Sequence, residues 1–214
     1  MATSQLRRLD RPLRGALGRS GRATARLARD FYARPTLQVA RDLLGMRLVR
    51  RLRGSLLAGL ITETEAYIGE HDLGCHAKAG LTPRTKVMYG PPGHAYVYFT
   101  YGNHWMLNVV TEGEGFPAAV LIRAVQPVEG LSVISRRRGG RDTFGPGKLT
   151  QALGIDSRHN GVDLTTAELG LWIEDGITIP KSVVTRGPRV GLSTVPEPWR
   201  SRPWRFLVPG WRVV

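Results

Sequence analysis

A chain of 214 residues with 42% apolar side chains suits one domain with a real core and leaves little room for two. Its formal charge of +14 and pI near 11.1 fit a polyanionic partner, nucleic acid before anionic membrane. No apolar run is long enough to span a bilayer and no basic segment leads into an apolar signal core, so a soluble protein is expected. The single cysteine, Cys75, allows neither an internal disulfide nor a cysteine-rich zinc site and suits a reducing cytoplasm. Five scattered histidines make no metal cluster either, so no metal is expected.

Residues 1–30 carry eight arginines against Asp10 and Asp30 with few large apolar groups, which reads as a basic tail without a fixed fold. The same composition is compatible with a mitochondrial transit peptide. Residues 31–214 keep 23 of the 31 basic and 15 of the 17 acidic residues, so the expected folded part is basic in its own right. Within it, Leu37 to Gly45 reads as a short helix with Thr36 as N-cap and Gly45 at its end. Met46–Arg51 and Ser55–Tyr67 read as a strand pair joined by Arg-Leu-Arg-Gly.

The second of these strands holds the most informative stretch, Ile61-Thr-Glu-Thr-Glu-Ala-Tyr-Ile-Gly69. Strand alternation puts Glu63, Glu65 and Tyr67 on one face, two carboxylates and an aromatic projecting together from a probable core strand. A Gly- and Pro-rich loop over residues 69–94 follows, of the kind that is usually functional inside a compact domain. His94–Tyr101 and His104–Val110 then read as a hairpin with a two-residue Gly102-Asn103 turn, which stands Tyr101 at its tip. In a basic protein an exposed tip aromatic has a physical use as a wedge entering a base stack; folding back onto apolar surface is the alternative. Phe116–Val125 is a third apolar strand ending near Arg123. Beyond it come a basic cluster of Arg136, Arg137, Arg138 and Arg141, a short helix around Lys148 to Leu153, strands near Leu171 and over Thr185–Leu192, and a tryptophan-rich end.

Glu63-Thr-Glu-Ala-Tyr67, His76, Thr82-Pro-Arg84, Tyr96-Val-Tyr98, Tyr101-Gly102, Asn108, Leu121-Ile-Arg-Ala-Val-Gln-Pro127, Gly145-Pro-Gly-Lys-Leu149 and Arg189-Val-Gly191 resemble, in order and spacing, the alkyladenine (3-methylpurine) DNA glycosylase family. The resemblance covers about residues 31 to 208. It implies an α+β domain with a curved, mainly antiparallel sheet flanked by short helices and long loops, spanning residues 31–214. It also implies base excision repair of 3-methyladenine, 7-methylguanine, hypoxanthine or ethenoadenine in double-stranded DNA, by a monomer without metal or organic cofactor. Such an enzyme would work in the cytoplasm of a prokaryote, or in the nucleus or mitochondria of a eukaryote.

Carried over residue by residue, the resemblance makes Glu65 the general base that activates water, with Arg123 and the main-chain carbonyl of Val190 holding that water. Tyr67 and Tyr98 would line the pocket on either side of the extruded base, with His76 against its edge. Asn108 would clash with the amine of normal guanine, and Tyr101 would be the intercalating wedge. Arg84, Arg137 and Lys148 would meet the DNA backbone. Glu63 receives no clear role.

The chemistry is consistent with that assignment. A carboxylate within hydrogen-bond reach of water is an adequate base for cleaving an N-glycosidic bond, typically worth about 10²–10⁴-fold. Alkylation at purine N3 or N7 leaves the base cationic, so a tyrosine-lined pocket gains roughly 0.5–2 kcal/mol per cation–π contact. No lysine stands in a recognisable Schiff-base setting, which points to a monofunctional enzyme. Two rival readings are a non-catalytic nucleic-acid-binding module of related fold and an esterase-like hydrolase; the second lacks any Gly-x-Ser-x-Gly elbow.

Overall fold

A computed structural model describes residues 25–100 and 102–210. The elements, in chain order, are helices α1 (Arg29–Tyr32) and α2 (Thr36–Asp42), strands β1 (Arg47–Leu52), β2 (Ser55–Ile68), β3 (Ala95–Thr100), β4 (His104–Val110) and β5 (Ala118–Glu129), helices α3 (Leu131–Arg138) and α4 (Pro146–Leu153), and strands β6 (Leu171–Glu174), β7 (Thr185–Gly187) and β8 (Arg205–Leu207). The strands form one sheet in the order β3-β4-β5-β2-β1-β6, with β8 pairing β2 and β7. Every pairing is antiparallel. The fold is therefore a single α+β domain with a mostly antiparallel sheet and few short helices, as expected.

The turns follow from their residues. Arg53 and Gly54 both adopt positive φ between Leu52 and Ser55, the geometry of a two-residue hairpin whose twist matches its strands. Helix α4 has Pro146 in its first turn and Gly154 in the left-handed conformation past its end, where the N–H of Ile155 reaches back to the carbonyl of Thr150. Arg136, Arg137 and Arg138, three of the four arginines of the basic cluster, occupy the last turn of α3, where positive charge meets the negative end of the helix dipole.

Strand β2 is the spine of the molecule. It pairs with β1 and β5, and from Glu63 to Glu65 also with β8. Against β5 its register slips at Glu63, where Ile61 faces Val125, Glu63 faces Ala124 and Thr64 faces Ile122. Irregularities of this kind bend a strand and re-aim its side chains. One face carries Thr64 towards α2, its hydroxyl donating to the carbonyl of Ala40. The core between sheet and helices includes Leu43, Leu48, Ile61, Leu107, Ile122 and Leu153, each almost wholly buried.

Several details depart from expectation. The ordered body begins before residue 31, because Arg26 bridges Glu174, Leu27 is buried in the core and Arg29 pairs with Asp163. The reading of a basic tail otherwise falls on residues 1–24, outside the described residues. Thr36 is not the cap of α2. That position belongs to Pro35, and the buried Thr36 hydroxyl bonds Glu112 and Thr111 instead, tying the helix to the end of β4. Thr100 pairs with His104, so the β3–β4 connection runs over three residues and not two. Strand β5 continues well past Arg123 to Glu129, because its later residues are paired by β2.

Candidate active site

The expectation that Glu63, Glu65 and Tyr67 project together is met, and the sheet supplies their partners. Glu65 is fully buried. Its Oε1 accepts a 2.7 Å hydrogen bond from the backbone N–H of Val190, and its Oε2 accepts from the Tyr67 hydroxyl at 2.9 Å and from Arg123 at 3.3 Å. A carboxylate offers about four lone-pair sites, so these three bonds fix its orientation and leave one acceptor position unused. Burial raises the Glu65 pKa above the ordinary carboxylate value, against the opposing pull of Arg123, the Val190 N–H and Tyr67. A base whose proton affinity lies closer to neutrality is the better proton acceptor at working pH.

Arg123 reaches both acids because it stands at the register slip of β5 opposite Glu63. Its Nε donates to Glu63 at 3.1 Å while Nη1 serves Glu65. Burial disfavours the guanidinium, but the two glutamates outweigh it and raise its pKa overall. Glu63 also receives Arg205 from β8 at 3.3 Å. The second carboxylate, without a role in the sequence, is thus the anchor of the arginine that holds the first.

A cavity of about 300 Å³ opens beside this cluster, lined by Tyr67, His76, Tyr98, Asn108, Arg123 and Val190 among others. That volume lies at the small end for ligand pockets, enough for one aromatic ring system. The His76 ring stands edge-on to Tyr98 with centroids 4.6 Å apart, and its Nδ1 lies 2.9 Å from the Tyr96 hydroxyl. Burial, assisted by Arg84 and Lys78, lowers the His76 pKa to about 4, so the ring is neutral near pH 7. Asn108 faces Tyr96 across β3 and β4, and its buried amide donates to the Tyr96 carbonyl at 3.0 Å, which locks its orientation at the pocket wall.

The structure adds partners to several of the other expected residues. The N–H of Val190 donates to Glu65, while the resemblance assigns the carbonyl of the same residue to the water. Arg84 is exposed but stands over the ring of Tyr98, which lines the cavity, its guanidinium carbon 5.1 Å from the centroid. Lys148 is paired with Asp142 at 3.0 Å, and Arg137 donates to the carbonyl of Gln151; both remain on the surface formed by α3 and α4. Tyr101, the expected wedge, lies outside the described residues.

Sequence reasoning missed the clamp that closes the site. Arg189 and Asp72, both wholly buried, form an ion pair bonded through both guanidinium nitrogens, at 2.5 and 2.8 Å. Asp72 also accepts from the backbone of Ile68 and Gly74, and Arg189 donates to the carbonyl of Ala66. The pair therefore ties the loop that carries His76 to the segment that carries Val190. The same guanidinium lies 4.7 Å over the Tyr67 ring and 5.0 Å over Trp204. An aspartate in a polar loop and an arginine far along the chain give no sign in sequence that they are partners; only the Arg189-Val-Gly191 motif marked the spot.

Comparison with known proteins agrees with this geometry. A model of the methylpurine-DNA glycosylase family matches residues 30–212. A protein of Myxococcus xanthus is 52% identical over 182 residues, covering 85% of this chain and 89% of its own, and bears the name "Putative 3-methyladenine DNA glycosylase". A protein of the same name from Methanocella arvoryzae is 51% identical over 185 residues, covering 84% and 90%. Another from Carboxydothermus hydrogenoformans is 48% identical over 186 residues, covering 85% and 94%. The chain belongs to the methylpurine-DNA glycosylase family.

Proposed function

We propose that this protein extrudes damaged purines from double-stranded DNA and cleaves their N-glycosidic bond by attack of water, leaving an abasic site. Family membership makes it a DNA-3-methylpurine glycosylase, a hydrolase of N-glycosyl bonds in DNA repair. The finer reading adds the lesion range, 3-methyladenine, 7-methylguanine, hypoxanthine and ethenoadenine, and the roles of individual residues. The observation that carries it is the fully buried Glu65 carboxylate held by Val190, Tyr67 and Arg123, all three of which line a base-sized aromatic cavity.

In this mechanism a water at the open lone pair of Glu65 attacks C1′ of the extruded nucleotide. Glu65 takes the proton, the bond electrons leave with the purine, and hydroxyl remains on the sugar. Tyr67 and Tyr98 stack on the base, His76 contacts its edge as a neutral ring, and Asn108 blocks the amine of normal guanine. Tyr101 fills the gap left in the duplex, while Arg84, Arg137 and Lys148 sit where the basic surface would follow phosphates; phosphate contacts add affinity irrespective of sequence. We further propose that the protein acts as a monomer and without a cofactor.

The test is direct. The protein is incubated with duplexes holding hypoxanthine, 1,N6-ethenoadenine or 3-methyladenine, and abasic sites are then cleaved with alkali. Alkali-dependent strand breaks at the lesion support the reading. Tight binding of lesion DNA without breaks favours the non-catalytic module instead.

A further inference from the structure

The pocket's charges are arranged unevenly. Arg123 is neutralised by Glu63 and Glu65, and Arg189 by Asp72. Arg84 is different: among the described residues it enters no ion pair, yet its guanidinium stands 5.1 Å over the ring of Tyr98, which lines the cavity. It is also close enough to the Tyr96 hydroxyl to pull that group's pKa down against the effect of burial. Tyr96 in turn meets His76 Nδ1 at 2.9 Å. Lys78 also acts on His76 without an ion pair among the described residues, but Arg84 is the charge that bears on Tyr98, Tyr96 and His76 alike.

Two consequences follow for a base entering the cavity. The electron-rich face of Tyr98 is already engaged by a cation, so part of its attraction for a second cation is spent. A like charge a few ångströms from the base site also opposes a positively charged purine directly. Between unit charges near a solvated surface such repulsion is on the order of a threefold to tenfold bias. A neutral base pays neither penalty. Tyr67 is in a similar state, with Arg189 on its ring, although there the charge is balanced by Asp72.

We propose that Arg84 is a specificity-determining residue that selects by charge, biasing this pocket towards neutral purine lesions over cationic ones. The inference rests on the glycosylase reading above and opposes the preference that the tyrosine pair alone would confer. A residue that only touched phosphate would act on all lesions alike, because its contact lies outside the base.

The experiment compares single-turnover excision, at subsaturating enzyme, of hypoxanthine or 1,N6-ethenoadenine (neutral) with that of 7-methylguanine (cationic), in wild type, Arg84→Gln and Arg84→Lys. Arg84 is exposed, and the neutral lesions serve as an internal measure of folded enzyme; Arg84→Met replaces Arg84→Gln if the latter does not stay folded. The expected result is a rise of about threefold to tenfold in the cationic-to-neutral rate ratio for Arg84→Gln, reversed at least in part by Arg84→Lys. An unchanged ratio, or a uniform loss across lesions with a shallower salt dependence, overturns the proposal while leaving the glycosylase reading intact. A wild-type protein that excises none of the three lesions overturns both.

Discussion

Arg189 and Asp72 meet as a doubly bonded ion pair with no solvent exposure on either side chain. Because the pair joins the loop before His76 to the segment of Val190, it couples the pocket wall to the partner of the Glu65 carboxylate. Removing one member leaves the other charge buried and unpaired, which typically costs about 3–5 kcal/mol. Asp72→Asn should therefore lower stability by that order in denaturant unfolding, and Asp72→Leu combined with Arg189→Met should recover much of it. If Asp72→Asn is as stable as wild type, the clamp has been misread.

Replacing Glu65 by Gln keeps the shape and removes the proton acceptor. Single-turnover excision should fall by at least about 10² while lesion DNA is still bound. Near-normal turnover in Glu65→Gln would rule out its role as general base.

The pH profile should carry one acid limb. Excision needs Glu65 ionised, and burial raises its pKa above 4.5, so activity falls as pH drops through that raised value. His76, lowered to about 4, stays neutral over the same range and adds no limb near the ordinary histidine value of about 6.5. A limb at or below 4.5, or a second one near 6.5 that vanishes in His76→Gln, would contradict this picture.

Residues 1–24 carry six arginines against Asp10. Deleting them should flatten the salt dependence of DNA affinity and leave the single-turnover rate at saturating enzyme unchanged. Cutting four residues further removes Arg26 and Leu27, which bridge Glu174 and fill the core, so that variant should be less stable by about 1.5–3 kcal/mol for the buried leucine alone. Equal melting temperatures for the two deletions would show that residues 25–28 are dispensable.

Tyr101 lies in the connection between Thr100 and His104 at the end of the hairpin. Acting as a wedge, it recovers part of the stacking lost when a nucleotide is extruded. Tyr101→Ala should slow excision of hypoxanthine most in a paired duplex, less opposite a mismatch and least in single-stranded DNA. An equal loss in all three substrates would assign Tyr101 to general binding.

Much of the site was legible because its residues are neighbours in sequence or sit on regular strands. The period of two in β2 was enough to bring Glu63, Glu65 and Tyr67 to one face, and the pairing of β3 with β4 followed from two apolar runs around a glycine turn. Charge and composition likewise marked a basic, nucleic-acid-binding domain from the sequence alone. What the sequence left open are contacts across long separations, because a strand pattern says which face a side chain takes and nothing about what that face meets. The register slip that lets Arg123 span Glu63 and Glu65 is decided by the packing of β5 on β2. The bond from the Val190 N–H to Glu65 depends on how the segment after β7 returns over the sheet, and the Arg189–Asp72 clamp exists only once two distant loops close together. Arg84 shows the same limit from the other side: its charge is written in the sequence, but its lack of a carboxylate partner among the described residues and its seat on Tyr98 belong to the folded chain.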